Sequence, residues 1–197
     1  SIGGTMKTKQ MVLTALFMGI VFVMGLWPQL GFIQLGPLVQ VTIIHIPVII
    51  GGIFLGSKSG LLIGLAFGFG SFMNSMSSGV LFAPVFANPL VSIVPRMIFG
   101  YSVHYIYLLV KKVIRKNTLL AYGFTAALAT IFHSLMVVPL MFIVGMNNAN
   151  ISSFINGQFG GSILTFVLGI FVGNSLMEVV ASSVIAPLIL QALDKIE

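Results

Sequence analysis

The chain has 197 residues, of which 58% are hydrophobic and only 6% charged, with a mean hydropathy of +1.14. Soluble domains of this size are not built with so few charges, so the composition specifies an all-α integral membrane protein. The net charge of +6 does not point to nucleic acid, because the basic residues flank apolar runs as membrane topology requires, and the absence of cysteine excludes disulfides, thiol catalysis and thiolate-held metal.

Ser1 to Thr5, ahead of Met6, read as a remnant outside the fold, which leaves 6–197 as a single membrane domain. A span takes about 20 apolar residues, so the length allows roughly six transmembrane helices. Hydropathy predicts them over about 9–27, 39–56, 59–76, 88–111, 118–145 and 161–193. No small-residue cleavage site follows the first run, so it is expected to be a retained helix and not a signal peptide. Lys7, Lys9, Lys58, Lys111, Lys112, Arg115, Lys116 and Lys195 all fall at alternate ends of these helices, while the three opposite connections contain no basic residue. The positive-inside rule then predicts that both termini are cytoplasmic.

In the first helix Ala15 and Gly19 have small-xxx-small spacing, which allows another helix to approach closely. The outer connection that follows, Pro28 to Pro37, is interrupted by two prolines and two glycines and is expected to be non-helical. Its apolar residues Leu30, Phe32, Ile33 and Leu35 leave two readings, a lid over the outer mouth or a loop lying in the lipid interface. The second helix is expected to carry His45 a little over one turn from its outer end, with Pro47 as a kink. Gly52, Gly56, Gly60, Gly64 and Gly68 recur every four residues, and the last three predict a closely packed ridge on the third helix. That helix ends in Ser71, Asn74 and Ser75.

The fourth helix contains Arg96, the only basic residue within an apolar run. An intramembrane Arg is a functional-site hypothesis by default, because its burial costs from about 2.5 kcal/mol upwards. Asn88, Ser92 and Arg96 are spaced i, i+4, i+8, which predicts one polar face descending from the outer surface. His133 falls near the middle of the fifth helix, and the connection 146–160 is expected to be a solvated loop. Asn174, Glu178 and Ser182 share a face of the sixth helix. Glu178, the only acid within a span, offers Arg96 an internal counter-ion.

These helices predict an outward-facing cavity lined by Arg96, Asn88, Ser92, His45, Ser71, Asn74, His133 and Asn174. A guanidinium among amides and hydroxyls suits a small solute carrying a carboxylate or phosphate. Two partners for Arg96 remain open, such a solute or Glu178. No metal or cofactor site is predicted, since the three histidines lie on separate helices without paired acids. The chain shows no inverted repeat, so a solute-binding protein of this size implies a partner that drives transport.

The chain resembles the S component, the substrate-binding subunit, of an energy-coupling factor (ECF) vitamin transporter. The resemblance rests on its size, the Leu13-Thr14-Ala15-Leu16-Phe17-Met18-Gly19 opening, His45-Ile46-Pro47, the Asn88 to Arg96 stretch, and Gly173-Asn174 with Glu178 and Pro187. It implies a high-affinity subunit that takes a water-soluble vitamin from outside. Its partners would be a transmembrane coupling subunit and two ATPase subunits, and it would topple in the bilayer to deliver the vitamin inward. The family's AxxxA contact with the coupling subunit would map onto Ala15 and Gly19, and its gating loop onto the Pro28 to Pro37 connection. Among the vitamins, pantothenate, with one carboxylate and a hydroxylated body, leads over a pyrimidine or pyridoxine-type ligand. An intramembrane enzyme using Glu178 with His133 or His104, and a small anion channel, are the rivals from other classes.

Overall fold

Prolines and asparagines, more than hydropathy, set where the helices begin. The computed structural model of the protein describes residues 7–34 and 40–195. Helix α1 (Thr8–Leu26) is followed by the single turn α2 (Pro28–Gly31) and by an antiparallel hairpin of β1 (Phe32–Gln34) and β2 (Gln40–Thr42). Then come α3 (His45–Leu55), α4 (Ser57–Ser77), the short α5 (Ala83–Phe86) and α6 (Pro89–Ser92), and α7 (Val94–Val113). The chain continues through α8 (Thr118–Gly145), α9 (Ala149–Phe159) and α10 (Ile163–Ile170). A π-helical segment, Phe171–Ser175, then leads directly into α11 (Leu176–Asp194).

Pro28, Pro47, Pro84, Pro89 and Pro95 all occupy first turns, where a missing N–H forfeits no intrahelical bond. This accounts for most departures from the sequence expectation. The second helix begins at His45 and not near 39, because Pro47 starts the helix instead of kinking it. Residues 40–42 form a strand, and Pro28–Gly31 form a helical turn where a non-helical connection was expected; Leu35, Gly36 and Pro37 of the expected lid lie outside the described residues. The run 88–111 divides at Ile93 into α6 and α7, each with a proline in its first turn.

The connection 146–160 is likewise mostly helix, not a solvated loop. Asn148 caps α9 by accepting hydrogen bonds from the N–H groups of Asn150 and Ile151, at 3.1 and 3.3 Å. Ile151 and Ile155, one turn apart, are fully buried, and Gly160 ends the helix at a φ of 61°.

Among the described residues, five stretches are long and apolar enough to cross a bilayer: Thr8–Leu26, Ser57–Ser77, Pro89–Val113, Thr118–Gly145 and Ile163–Asp194. Helix α3, with 11 residues, is about 16 Å long, roughly half the thickness of the hydrocarbon core. The bundle has an apolar core and an apolar outer surface, and its buried polar groups are grouped inside, as a lipid solvent requires. Leu90, Val113, Leu128, Val180 and Leu188 are exposed, whereas Thr14, Ser59, Thr130 and Ser182 are buried. Those four are hydrogen-bonded in pairs, Thr14 to Ser59 and Thr130 to Ser182, each at 2.8 Å.

The glycine ridge on α4 is packed against α7 as its spacing predicts. A Cβ at Gly60 would strike the Gly100 carbonyl, one at Gly64 the Arg96 carbonyl, and one at Gly68 would lie 2.6 Å from Ile93 Cα. Backbone therefore meets backbone along this contact. The packing fixes the height and rotation of α7 and so places Arg96 in the core.

Candidate functional site

Arg96 is buried, with 5% of its surface exposed, and its surroundings follow from the residue before it. Pro95 has no N–H to give to the Val91 carbonyl four residues earlier. The Arg96 guanidinium supplies the missing donor, with Nη1 2.5 Å from Val91 O. Long side chains on a helix point back toward its N-terminus, which makes this capture possible. The guanidinium also lies over two aromatic faces, 5.0 Å from the Phe86 centroid and 5.4 Å from that of Phe67. Its Nε is buried without a hydrogen-bond partner among the described residues.

Phe67 leads from Arg96 to the histidines. Its ring centroid is 5.8 Å from that of His133, which also packs against Phe99 at 4.7 Å. His133 lies nearly parallel to His45, with centroids 6.5 Å apart and planes inclined by 9°. Both imidazoles are buried. Among the described residues, neither His45 nitrogen has a hydrogen-bond partner, nor does His133 Nε2.

On the far side is Glu178, 5% exposed. Its Oε1 accepts hydrogen bonds from Thr42 N–H at 2.8 Å and Asn174 Nδ2 at 3.3 Å. Asn174 Oδ1 is buried without a partner. The charges of Arg96 and Glu178 act on each other through space, but no ion pair joins the two. Each spends its hydrogen bonds elsewhere.

The structure thus brings together four of the expected site residues, Arg96, His45, His133 and Asn174. Two others serve the backbone: Asn88 caps α6 by accepting from Leu90 N–H at 3.0 Å, and Ser92 donates to Asn88 O at 3.1 Å. The expected single polar face from Asn88 to Arg96 is therefore broken at its outer end. Asn74 is half-buried near the end of α4, and no hydrogen bond ties its side chain to the cluster among the described residues. Ser71 lies one turn before it and is also half-buried. Ala15 and Gly19 face outward on α1, beside a shallow apolar groove of about 620 Å³ that Leu16, Ile20, Val23 and Leu30 help to line.

Sequence reading missed the aromatic walls. Phe99 follows Arg96 by three residues and Phe67 precedes ridge residue Gly68, so helical spacing on α4 and α7 carried a signal for both. Phe86 and Thr42 carried none, because they reach the site through short elements whose course hydropathy does not define. Glu178 was recognised only as a rival for Arg96.

The orphaned polar atoms define what this interior can hold. Arg96 offers donors and positive charge, Asn174 Oδ1 is an acceptor, and each neutral imidazole has one donor and one acceptor nitrogen. Buried polar atoms are normally paired, so this set matches a small solute with an anionic end and a hydroxyl- or amide-bearing body. Among the described residues, no three His, Cys, Asp or Glu side chains converge as metal ligands would.

Residues 9–190 match the family model described as ECF transporter, substrate-specific component. The chain is 29% identical over 187 residues to the pantothenate transporter PanT of Leuconostoc mesenteroides subsp. mesenteroides, an alignment that covers 91% of this chain and 89% of that one. It is 27% identical over 208 residues to the pantothenic acid transporter PanT of Lactococcus lactis subsp. cremoris, with 96% and 95% covered.

Proposed function

Since the chain belongs to the family of substrate-specific components of ECF transporters, we propose that it is the subunit that binds pantothenate from outside the cell and carries it inward with an ATPase-driven partner. Like its family, it is a multi-pass membrane protein and a transport component rather than an enzyme. Arg96 carries the assignment of the ligand. It is a buried cation whose nearest neighbours are a carbonyl and two aromatic rings, with Nε unpartnered. A carboxylate supplies the missing charge and accepts from the planar fork. The amide and hydroxyls of pantothenate can exchange hydrogen bonds with His45, His133 and Asn174. The two relatives named for this vitamin support the same choice.

In this reading α3, which covers about half the bilayer, and strand β2 leading into it make the sixth crossing, with both termini cytoplasmic. Eight of the nine basic residues at the ends of apolar runs support that orientation. The outward-facing Ala15 and Gly19 on α1 dock against the transmembrane coupling subunit, which two ATPase subunits drive. A Cβ at Gly19 would meet nothing within 4 Å, so this surface is open to a partner helix.

The test is calorimetry on the purified chain with pantothenate and with its alcohol analogue, which lacks only the carboxylate charge. Removing one member of a buried charge pair costs about 2–5 kcal/mol, a factor of roughly thirty to several thousand in Kd. Pantothenate should bind one-to-one, with the analogue weaker by at least the lower factor, and Arg96→Ala should lose the preference. Equal binding of the two compounds would exclude Arg96 as the carboxylate's partner. Binding of pyridoxine in place of pantothenate would overturn the assignment of the vitamin.

A further inference from the structure

The hydrogen bonds of Glu178 give it a role that neither the family nor the ligand chemistry assigns. A carboxylate buried among helices is costly unless it is paired or hydrogen-bonded. Here the nearest cation is not its partner. Instead a single oxygen, Oε1, accepts from two groups of different kinds, a strand amide at Thr42 and the side-chain amide of Asn174.

Hairpin register explains why Thr42 N–H is available. Phe32 pairs with Thr42, and Ile43 N–H donates to Gly31 O at 2.9 Å. Antiparallel pairs alternate between hydrogen-bonded and non-bonded types. Thr42 therefore belongs to a non-bonded pair, and its N–H points away from β1. Without Glu178 that donor would have no protein partner on this side.

The second bond orients Asn174. An Asn amide can present either its oxygen or its nitrogen to a given side. Donation from Nδ2 to Glu178 turns Oδ1 to the opposite side, where it is buried and unpartnered. Asn174 lies in the π-helical segment Phe171–Ser175, a kind of local widening often found at functional sites.

We infer that Glu178 is a positioning residue that ties strand β2 to the ligand-reading amide of Asn174 through one carboxylate oxygen. It touches neither Arg96 nor, in this arrangement, the ligand. It holds Oδ1 of Asn174 as an acceptor for the solute and at the same time holds β2 against the last helix. Displacement of β2 removes one of the two donors on Oε1, so ligand reading and strand position are coupled. The ligand half of this inference rests on the pantothenate reading; the strand half does not.

The experiment combines amide hydrogen exchange over residues 40–44 with pantothenate release, measured on the full-length chain in detergent or nanodiscs. In Glu178→Ala, exchange at the Thr42 amide should rise at least tenfold without ligand, and the release rate should rise at least tenfold. Glu178→Gln keeps an acceptor oxygen and should restore much of both. Thr42→Pro removes the same donor from the other side without breaking a ladder bond, and its release rate, set against Thr42→Val, which keeps the N–H and loses only the hydroxyl, decides the matter if Glu178→Ala fails to fold. The double variant should be no worse than the more damaged single variant, as expected for two ends of one interaction. If thermal stability falls while Thr42 exchange and release rate stay native, Glu178 has only a structural role and the inference is overturned. If the native chain binds no pantothenate, the assignment of function fails, and unchanged Thr42 exchange in Glu178→Ala would separately overturn the tie.

Discussion

Gly68→Ala tests whether the α4–α7 contact positions the site. The added Cβ would lie 2.6 Å from Ile93 Cα and 2.8 Å from Ser92 O, and ordinary contact begins at 3.4 Å. Both obstacles are backbone, so no side-chain rotation relieves them. The helices must part by about 0.8 Å at this level, in an interior packed as closely as a crystal. Overpacking of this kind costs about 1–3 kcal/mol, and for a chain of this length each kcal/mol lowers Tm by about 2–4 °C. The sign is informative, because Ala is about 1 kcal/mol better than Gly in a helix and would stabilise α4 if the contact were loose. Arg96 is three residues beyond Ile93 and moves with it, away from Phe67 on α4, so pantothenate affinity should fall about tenfold, or about 1.4 kcal/mol. Thermal melts and calorimetry on the detergent-solubilised chain measure the two effects. Gly19→Ala and Gly173→Ala, whose Cβ atoms would meet nothing within 4 Å, serve as controls: their affinity should stay near native and their Tm should not fall, rising by up to about 2–4 °C each. A Gly68→Ala protein as stable and as tight-binding as the native chain would refute the idea that this contact sets the height of Arg96.

Two further substitutions separate binding from delivery and position from charge. Ala15→Leu and Gly19→Leu fill the outward face of α1 and should abolish pantothenate uptake in cells supplied with the coupling and ATPase subunits, while Kd of the isolated chain stays within about twofold, since surface changes usually cost under about 0.5 kcal/mol; uptake at the native rate would remove this face from the partner interface. Pro95→Ala returns an N–H to the Val91 carbonyl and releases Arg96 Nη1 from its 2.5 Å bond, so affinity should drop about fivefold with no loss of thermal stability, the cost of freeing a long side chain; unchanged affinity would show that the proline does not position the guanidinium.

What the sequence made legible follows from what a lipid solvent dictates. Membrane character, the long helices and the four-residue glycine ridge are consequences of solvent and period alone, and each appears in the structure. Arg96, His45, His133 and Asn174 were singled out as candidates because a polar group inside an apolar run has few reasons to be there. The same logic singled out Asn88 and Ser92, whose side-chain hydrogen bonds go to the backbone in the structure. Helical spacing put them on the face of Arg96, but a side chain next to a helix start is also a cap, and the prolines at 89 and 95 turn that stretch into two helix starts. Phe86 and Thr42 were beyond reach because short elements are placed by tertiary contacts, such as the bond from Thr42 N–H to Glu178.

In the proposed reading, the separation of Arg96 from Glu178 is what leaves this interior able to bind an anion. Joined directly, the two charges would neutralise each other, and an incoming carboxylate would have to displace a buried ion pair, whose breakage leaves an uncompensated charge at a cost of several kcal/mol. Instead Arg96 is held by Val91 O and by the faces of Phe67 and Phe86, while Glu178 is held by Thr42 and Asn174. Neutral dipoles and ring faces stabilise a guanidinium without cancelling its charge. On that reading the attraction for an anion is kept in reserve, and the hydrogen bonds around Glu178 do more than make its burial tolerable: they keep the acid from becoming the partner that a solute carboxylate would otherwise have to displace.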